Sequence, residues 1–404
     1  MGVSISFKAG FALVLVLISL IILYLLMMNL PSWDKHGGAV GQLVLKCLEG
    51  MYGVRWVNDV PKFKLPPKAF VKGIPWIGHS SLYHAPACLQ MVAYKYGIYE
   101  NLDFINFVMG FTYGAYLIIG GNGTYIFTPN SDPFLGFMNA SRFLGLEYNL
   151  LVTNSKDVFI SLCKYLTSND IPVIIPILTR SMDSLLYPTP HFILLVGYEG
   201  EYFYIYEPLS SKYFLKFNSV GIKLAVNDVA SAVEEYSRLF KLPWRYGLIY
   251  LTKSLKHRQV SLGEVLIRDG LLSIGSNRSC GQYQILTGSR AIKALTKLIR
   301  GNITNLKYIS SNLLLISAMR MYDAGYLERF FTNSEAINEV VNKLRNASLI
   351  YAKVAKLIER CVVNCNVSEI SKLINEVVRL EEEAGLLMIK TGTKLLTKES
   401  MKSS

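Results

Sequence analysis

Four side chains in this chain of 404 residues could carry out nucleophilic chemistry together: His84, Cys88, His191 and Glu207. The first two lie four apart in Tyr83-His84-Ala85-Pro86-Ala87-Cys88-Leu89-Gln90-Met91. His191 opens the apolar run Phe192-Ile193-Leu194-Leu195-Val196, and Glu207 ends Tyr202-Phe203-Tyr204-Ile205-Tyr206. A thiol at the start of a helix is acidified by the helix dipole, an imidazole nearby takes its proton, and a carboxylate holds the imidazole in one tautomer. That chemistry needs a helix beginning near residue 84, a strand beginning at 191 and a hairpin returning to 207. Glu199-Gly200 supplies the hairpin signal between the two strands.

The same residues have plainer readings. Positions 84 and 88 share a helix face, and a thiol at 88 sits about 5 to 6 Å deeper than one at 84. Among Leu89, Met91 and Val92 it is either a small apolar filler with a raised pKa or a displaced nucleophile. His191 reads equally as a strand-start histidine bonded to a neighbour, and Glu207 as an ordinary strand-end acid. His79, His84, His191 and Glu207 are types that suit zinc. No compact ligand pair accompanies them, so no metal or other cofactor is expected.

The first segment resembles the Asp-Cys-Gly-Pro-Ala-Cys-Leu-Ala-Met-Val run of the double-glycine leader peptidases and the broader papain-like group. The order of later segments is most similar to the butirosin biosynthesis protein H family, acyltransferase-like proteins with an added helical domain. Val108-Met109-Gly110-Phe111-Thr112-Tyr113-Gly114-Ala115-Tyr116 and Asp170-Ile171-Pro172-Val173-Ile174-Ile175-Pro176 carry that similarity, over residues 74 to the 390s. The resemblance implies an α+β papain-like domain, an N-terminal helix plus antiparallel sheet, followed by an α-helical domain. It implies His191 as base and Glu207 as its orienting acid. It also places the nucleophilic cysteine thirteen positions before Gly97, where this chain has His84. Cys88 matches a second, non-catalytic cysteine, the glycine after the nucleophile is Ala85, and the upstream oxyanion Gln is replaced by Gly78 or His79. A catalytically degenerate domain that binds a peptide or acyl chain, or that scaffolds a membrane complex, is the reading that follows. The alternative is an active thiol peptidase or acyltransferase using Cys88, His191 and Glu207.

Hydrophobic residues make up 51% of the chain and charged residues 18%, with a mean hydropathy of +0.31. Ala9 to Met28 contains twenty residues without a charge, enough to span about 30 Å of hydrocarbon. Residues 1–30 therefore read as a transmembrane signal anchor and 31–73 as a juxtamembrane segment. A short N-terminal tail favours a single-pass protein with its body outside the cytoplasm, and six Asn-x-Ser/Thr sequons, at Asn122, Asn139, Asn277, Asn302, Asn346 and Asn366, fit a glycoprotein there. The formal net charge is +13, and from residue 251 on there are 23 Lys and Arg against 13 Asp and Glu. These cations are spread at helical intervals without runs, which reads as a solvated helix face near a membrane and against nucleic acid. Cys361 and Cys365 are spaced for either a local disulfide or two free thiols.

Strand signals are dense from 113 to 250: Tyr116–Ile119, Thr124–Phe127, Ile171–Leu178, His191–Tyr198, Tyr202–Tyr206 and Tyr246–Leu251. Asp157–Thr167 and Val229–Phe240 read as interleaved helices, giving an α+β domain over 74–253. After Lys253 the apolar period is helical, over 290–298, 309–331, 335–361 and 369–391, with Thr332-x-x-Glu335 and Asn366-x-x-Glu369 as start signals. The expected helical domain covers 254–395 and a disordered tail covers 396–404.

Overall fold

The computed structural model describes residues 50–59, 64–78, 83–120, 125–179, 189–208, 221–254, 260–280, 283–301, 306–332, 334–361 and 366–403. In chain order, β1 (Val54–Trp56) and β2 (Lys68–Phe70) precede α1 (His84–Lys95) and α2 (Leu102–Met109). β3 (Tyr116–Gly120) and β4 (Tyr125–Thr128) lead to α3 (Pro133–Phe143), β5 (Leu146–Thr153), α4 (Lys156–Ser168), β6 (Val173–Thr179), β7 (Thr189–Glu199) and β8 (Tyr202–Tyr206). Next come β9 (Ile222–Ala225), α5 (Val226–Leu239), β10 (Tyr246–Lys253), α6 (Leu262–Ile274), β11 (Asn277–Cys280) and β12 (Tyr283–Thr287). Four helices follow: α7 (Gly288–Gly301), α8 (Leu306–Phe330), α9 (Glu335–Arg360) and α10 (Val367–Ser403).

The larger sheet has eight strands in the order β1-β5-β10-β6-β7-β8-β9, with β2 paired to β7. All its pairings are antiparallel except β1 with β5. Side chains alternate across the pleat, and β7 shows why its sequence is apolar without interruption. Phe192, Leu194 and Val196 join the cluster built with Cys88, Leu89 and Phe137 on one face. Ile193 and Leu195 join Phe159, Leu162 and Val229 on the other. A strand covered on both faces is apolar along the stretch so covered, here Phe192 to Val196.

Helix starts are fixed by side chains that accept otherwise orphaned backbone N–H groups. Asn101 caps α2, Ser155 caps α4 and Ser261 caps α6. Asp132 accepts from Phe134 and Leu135 ahead of α3, with Pro133 in its first turn. Helix α1 differs: the residue before it, Tyr83, makes no side-chain cap bond, and there is no acid in its first turn.

Three expectations change. The described part of 31–73, read from sequence as a juxtamembrane segment, belongs to the folded body, because β1 and β2 join the sheet and Tyr52 is buried in the core. Strands of three residues are too short to show a period. The region 254–395 is not purely helical, since β11 and β12 extend β3 and β4 into a four-stranded sheet ordered β11-β12-β3-β4. The two halves therefore share a sheet as well as one core, in which Phe107 and Phe137 pack with Val265, Leu327 and Ile337. Finally, α10 continues to Ser403 instead of stopping at 395. Polar residues with good helix propensity extend a helix that is already nucleated. Residues 9–28 lie outside the described residues, among which no helix is long and apolar enough to cross a membrane.

Helices α6 and α10 run antiparallel at close range through two glycine pairs seven residues apart on each helix. A Cβ on Gly270 would lie 2.4 Å from the Gly385 carbonyl oxygen, and one on Gly392 would lie 2.5 Å from that of Gly263. Beside this crossing the halves meet in a buried charge network. Arg320 of α8, 1% exposed, donates from Nε to Glu381 Oε1 of α10 at 2.5 Å and from Nη1 to the Thr112 carbonyl. Asp323 accepts from the Thr112 hydroxyl at 2.5 Å, and Tyr351 donates to Glu381 at 3.1 Å. Arg268 holds the neighbouring Asp269 at 2.6 Å and donates to the carbonyls of Phe107 and Val108. Burial pushes both Asp269 and Asp323 up to about 7, against the opposing pull of their arginines.

Candidate functional site

The first residue of α1 is His84, so its side chain occupies the position where the backbone N–H groups of the opening turn point outward. The α1 helix packs on β7, which brings His191, two residues into that strand, beside it. The two imidazole rings are 4.5 Å apart between centroids, at an interplanar angle of 43°. Phe192 stacks on the His84 ring at 5.8 Å and Phe111 meets it edge-on at 5.5 Å. His84 is half-buried, and its Nδ1 is buried without a hydrogen-bond partner among the described residues. Burial, and then the neighbouring His191, push its pKa well below the usual histidine value, so the ring is neutral at pH 7.

Glu207 follows β8 directly and lies opposite the start of β7. Its Oε1 is 2.6 Å from His191 Nε2, with both side chains nearly inaccessible at 3% for His191 and 1% for Glu207. Trp76 donates from its indole N–H to the Glu207 carbonyl at 3.0 Å, tying the strand exit to the segment before α1. With Nε2 committed to the carboxylate, Nδ1 is the His191 nitrogen left for other groups. This is the arrangement in which a carboxylate orients an imidazole base.

Cys88 lies one turn further into α1, fully buried, and its thiol donates to the Phe192 carbonyl at 3.6 Å. Burial, and secondarily the Glu207 carboxylate, push this thiol well above its ordinary value. A nucleophilic thiol needs the opposite, a partly exposed position and a depressed pKa. The four residues singled out from the sequence are thus neighbours, but they divide in two: His84, His191 and Glu207 form one contact chain, while Cys88 is bonded to the strand backbone beneath it. His79 lies outside the described residues, and among those described no three His, Cys, Asp or Glu residues are grouped to hold a metal ion. Trp76, Phe111 and Phe192 frame the site and were not singled out by sequence. An isolated aromatic carries no spacing signal, and only its contacts reveal the role.

Two further cysteines bear on the compartment. Cys280 and Cys361 are each disulfide-bonded, whereas Cys88 and Cys163 are buried free thiols. Cys365 lies outside the described residues.

No protein-family model matches this chain. No curated protein matches it either. Among solved structures, a crystal structure from Bacillus anthracis described as a C39-like peptidase aligns at 16% sequence identity and a TM-score of 0.29, covering 46% of this chain and 98% of its own. A likeness that distant says nothing of activity.

Proposed function

We propose that this protein is a papain-like binding domain in which the nucleophile position has been given to a histidine while the base and its orienting acid are kept. The observation that carries the reading is the contact chain His84–His191–Glu207, with His84 as the first residue of α1. An imidazole there cannot form a thioester, and the Cys88 thiol, one turn further into α1, is fully buried and bonded to the Phe192 carbonyl. What remains is a polar cluster: a neutral, half-buried His84, whose Nδ1 is buried without a hydrogen-bond partner among the described residues, at a helix start where Tyr83 makes no side-chain cap bond. A helix start with a polar side chain of this kind suits a carbonyl-bearing chain, a peptide or an acyl group. The acyl side of the proposal follows the resemblance to the butirosin biosynthesis protein H family and rests on sequence alone. Membrane anchoring through 9–28, an extracytoplasmic body and a place in a membrane complex belong to the same proposal. The disulfides at Cys280 and Cys361 support it, because such bonds persist in oxidising compartments.

The test is a thiol-directed peptide probe, such as a vinyl sulfone, applied to the native chain at pH 7 and mapped by mass spectrometry. The expected result is no adduct at Cys88 until the protein is denatured. An adduct at Cys88 in the folded protein that disappears in His191→Ala would establish the competing reading, a thiol peptidase or acyltransferase.

A further inference from the structure

Helix α7 is the most unbalanced surface element among the described residues. Its fourteen residues, Gly288–Gly301, contain no acid and four cations, Arg290, Lys293, Lys297 and Arg300. All four are exposed. Their spacing of three, four and three residues places them on one face over about 15 Å. The opposite face, Ala291, Ile292, Leu295 and Ile299, is buried in the core of the C-terminal helices. None of the four cations forms an ion pair among the described residues. Arg300 donates only to the Ser371 hydroxyl, at 3.3 Å, and exposed Lys372 follows that serine. Arg278 of β11 is a further exposed cation. Glu382 of α10 accepts from the Ser289 hydroxyl at the N-terminal end of the helix, beside Arg290, and forms no ion pair with the cationic row.

We propose that this face docks the protein onto an anionic membrane surface. The argument is charge complementarity combined with shape. The helix cannot insert, because its apolar side is already buried against Leu313 and Ile374. It can rest on phosphate headgroups through its cations, each of which multiplies surface partitioning by about fivefold at low salt. The helix carries no aromatic residue on which a base could stack, so single-stranded nucleic acid is not the occupant. The inference rests on the anchoring read from Ala9–Met28, which would keep this face within reach of a bilayer. Its role would be to set the orientation of the body on the membrane, and with it the direction in which His84 faces.

The experiment uses the full chain in nanodiscs of phosphatidylcholine alone or with a quarter phosphatidylglycerol. A nitroxide at Lys293→Cys reports collision with a water-soluble nickel relaxant. The expected result is a several-fold drop in collision rate in the anionic discs only. High salt should reverse the drop, since the Debye length shortens to a few ångströms. Lys297→Glu/Arg300→Glu should abolish it. Equal collision rates in the two discs would overturn the proposal. Protection of the same label by polyglutamate in that event would assign the face to an acidic protein. Whether the chain co-purifies with the discs tests the anchor separately, and a chain that does not can be titrated with the same discs to read the label directly.

Discussion

Replacing Glu381 by Gln removes the charge opposite Arg320 while keeping the shape of the side chain. Arg320 is 1% exposed, so the guanidinium cannot turn to water. Its remaining acid is Asp323, at 3.7 Å from Nη1, and that carboxyl is itself pushed up to about 7. Removing one partner of a buried pair costs about 3–5 kcal/mol, because an uncompensated charge is left in the interior. With an unfolding entropy of about 2.1 cal/mol/K per residue, that loss lowers the melting temperature of a chain of this size by about 4–6 °C. Scanning fluorimetry at pH 7 on the native chain and on Glu381→Gln reads the shift. A companion Arg320→Met/Glu381→Leu should recover at least half of it, since an apolar pair of similar volume removes both charges together and burial without the arginine favours the protonated form of Asp323. A shift under 1 °C for Glu381→Gln, or a double variant worse than the single one, would refute the claim that this buried charge pair stabilises the fold.

The acids beside that pair set the pH dependence. Their folded-state pKa lies above the unfolded carboxyl value, so the stability tied to their protonation is fully present below about pH 4 and lost as the pH rises to about 7. The melting temperature should therefore be higher at pH 5 than at pH 8, and Asp269→Asn should narrow the difference; an unchanged gap would discount the pair. Gly270→Ala should destabilise by about 3 kcal/mol through overpacking, because its Cβ would meet a backbone oxygen at 2.4 Å. Gly200→Ala, with nothing within 4 Å at a φ of +56°, should cost only about 1 kcal/mol of left-handed strain. Urea titration separates the two.

Local signals carried well where a segment's own residues decided its structure. The apolar runs at His191–Tyr198 and Tyr202–Tyr206 lie in β7 and β8, and the turn between them is Gly200-Glu201, one residue beyond the Glu199-Gly200 signal, with Gly200 at a positive φ. Asn366 does cap α10, accepting from the Glu369 N–H at 3.1 Å. The start of α9 moved, however, from Thr332 to Ser334, whose hydroxyl accepts from Ile337, because two hydroxyl residues compete within one turn. Segments whose structure depends on distant partners were not legible. Strand β5 mixes Glu147 and Asn149 into its pattern, and β11 exposes Asn277, Arg278 and Ser279, so neither shows a clean alternation. Arg320 and Asp323 are three apart on one helix, and it is α10 and Thr112 that make them a buried network. The glycines seven apart in α6 and α10 gain their meaning only from the crossing of those two helices. At the site, the resemblance implied His84 at the helix start with His191 and Glu207 near it, and the structure brings these three together, while the depth of Cys88 depends on the β7 backbone.

The most direct measurement is the reactivity of His84→Cys toward a vinyl sulfone peptide probe as a function of pH. The account holds that α1, His191 and Glu207 retain a working geometry with the wrong side chain at its centre. It predicts that a thiol placed at 84 is labelled stoichiometrically, with a rate that inflects well below the ordinary thiol pKa of about 8.5, and that Glu207→Gln in the same background slows labelling sharply. A folded His84→Cys protein that reacts no faster than an ordinary exposed cysteine, or a native chain already labelled at Cys88, would contradict it.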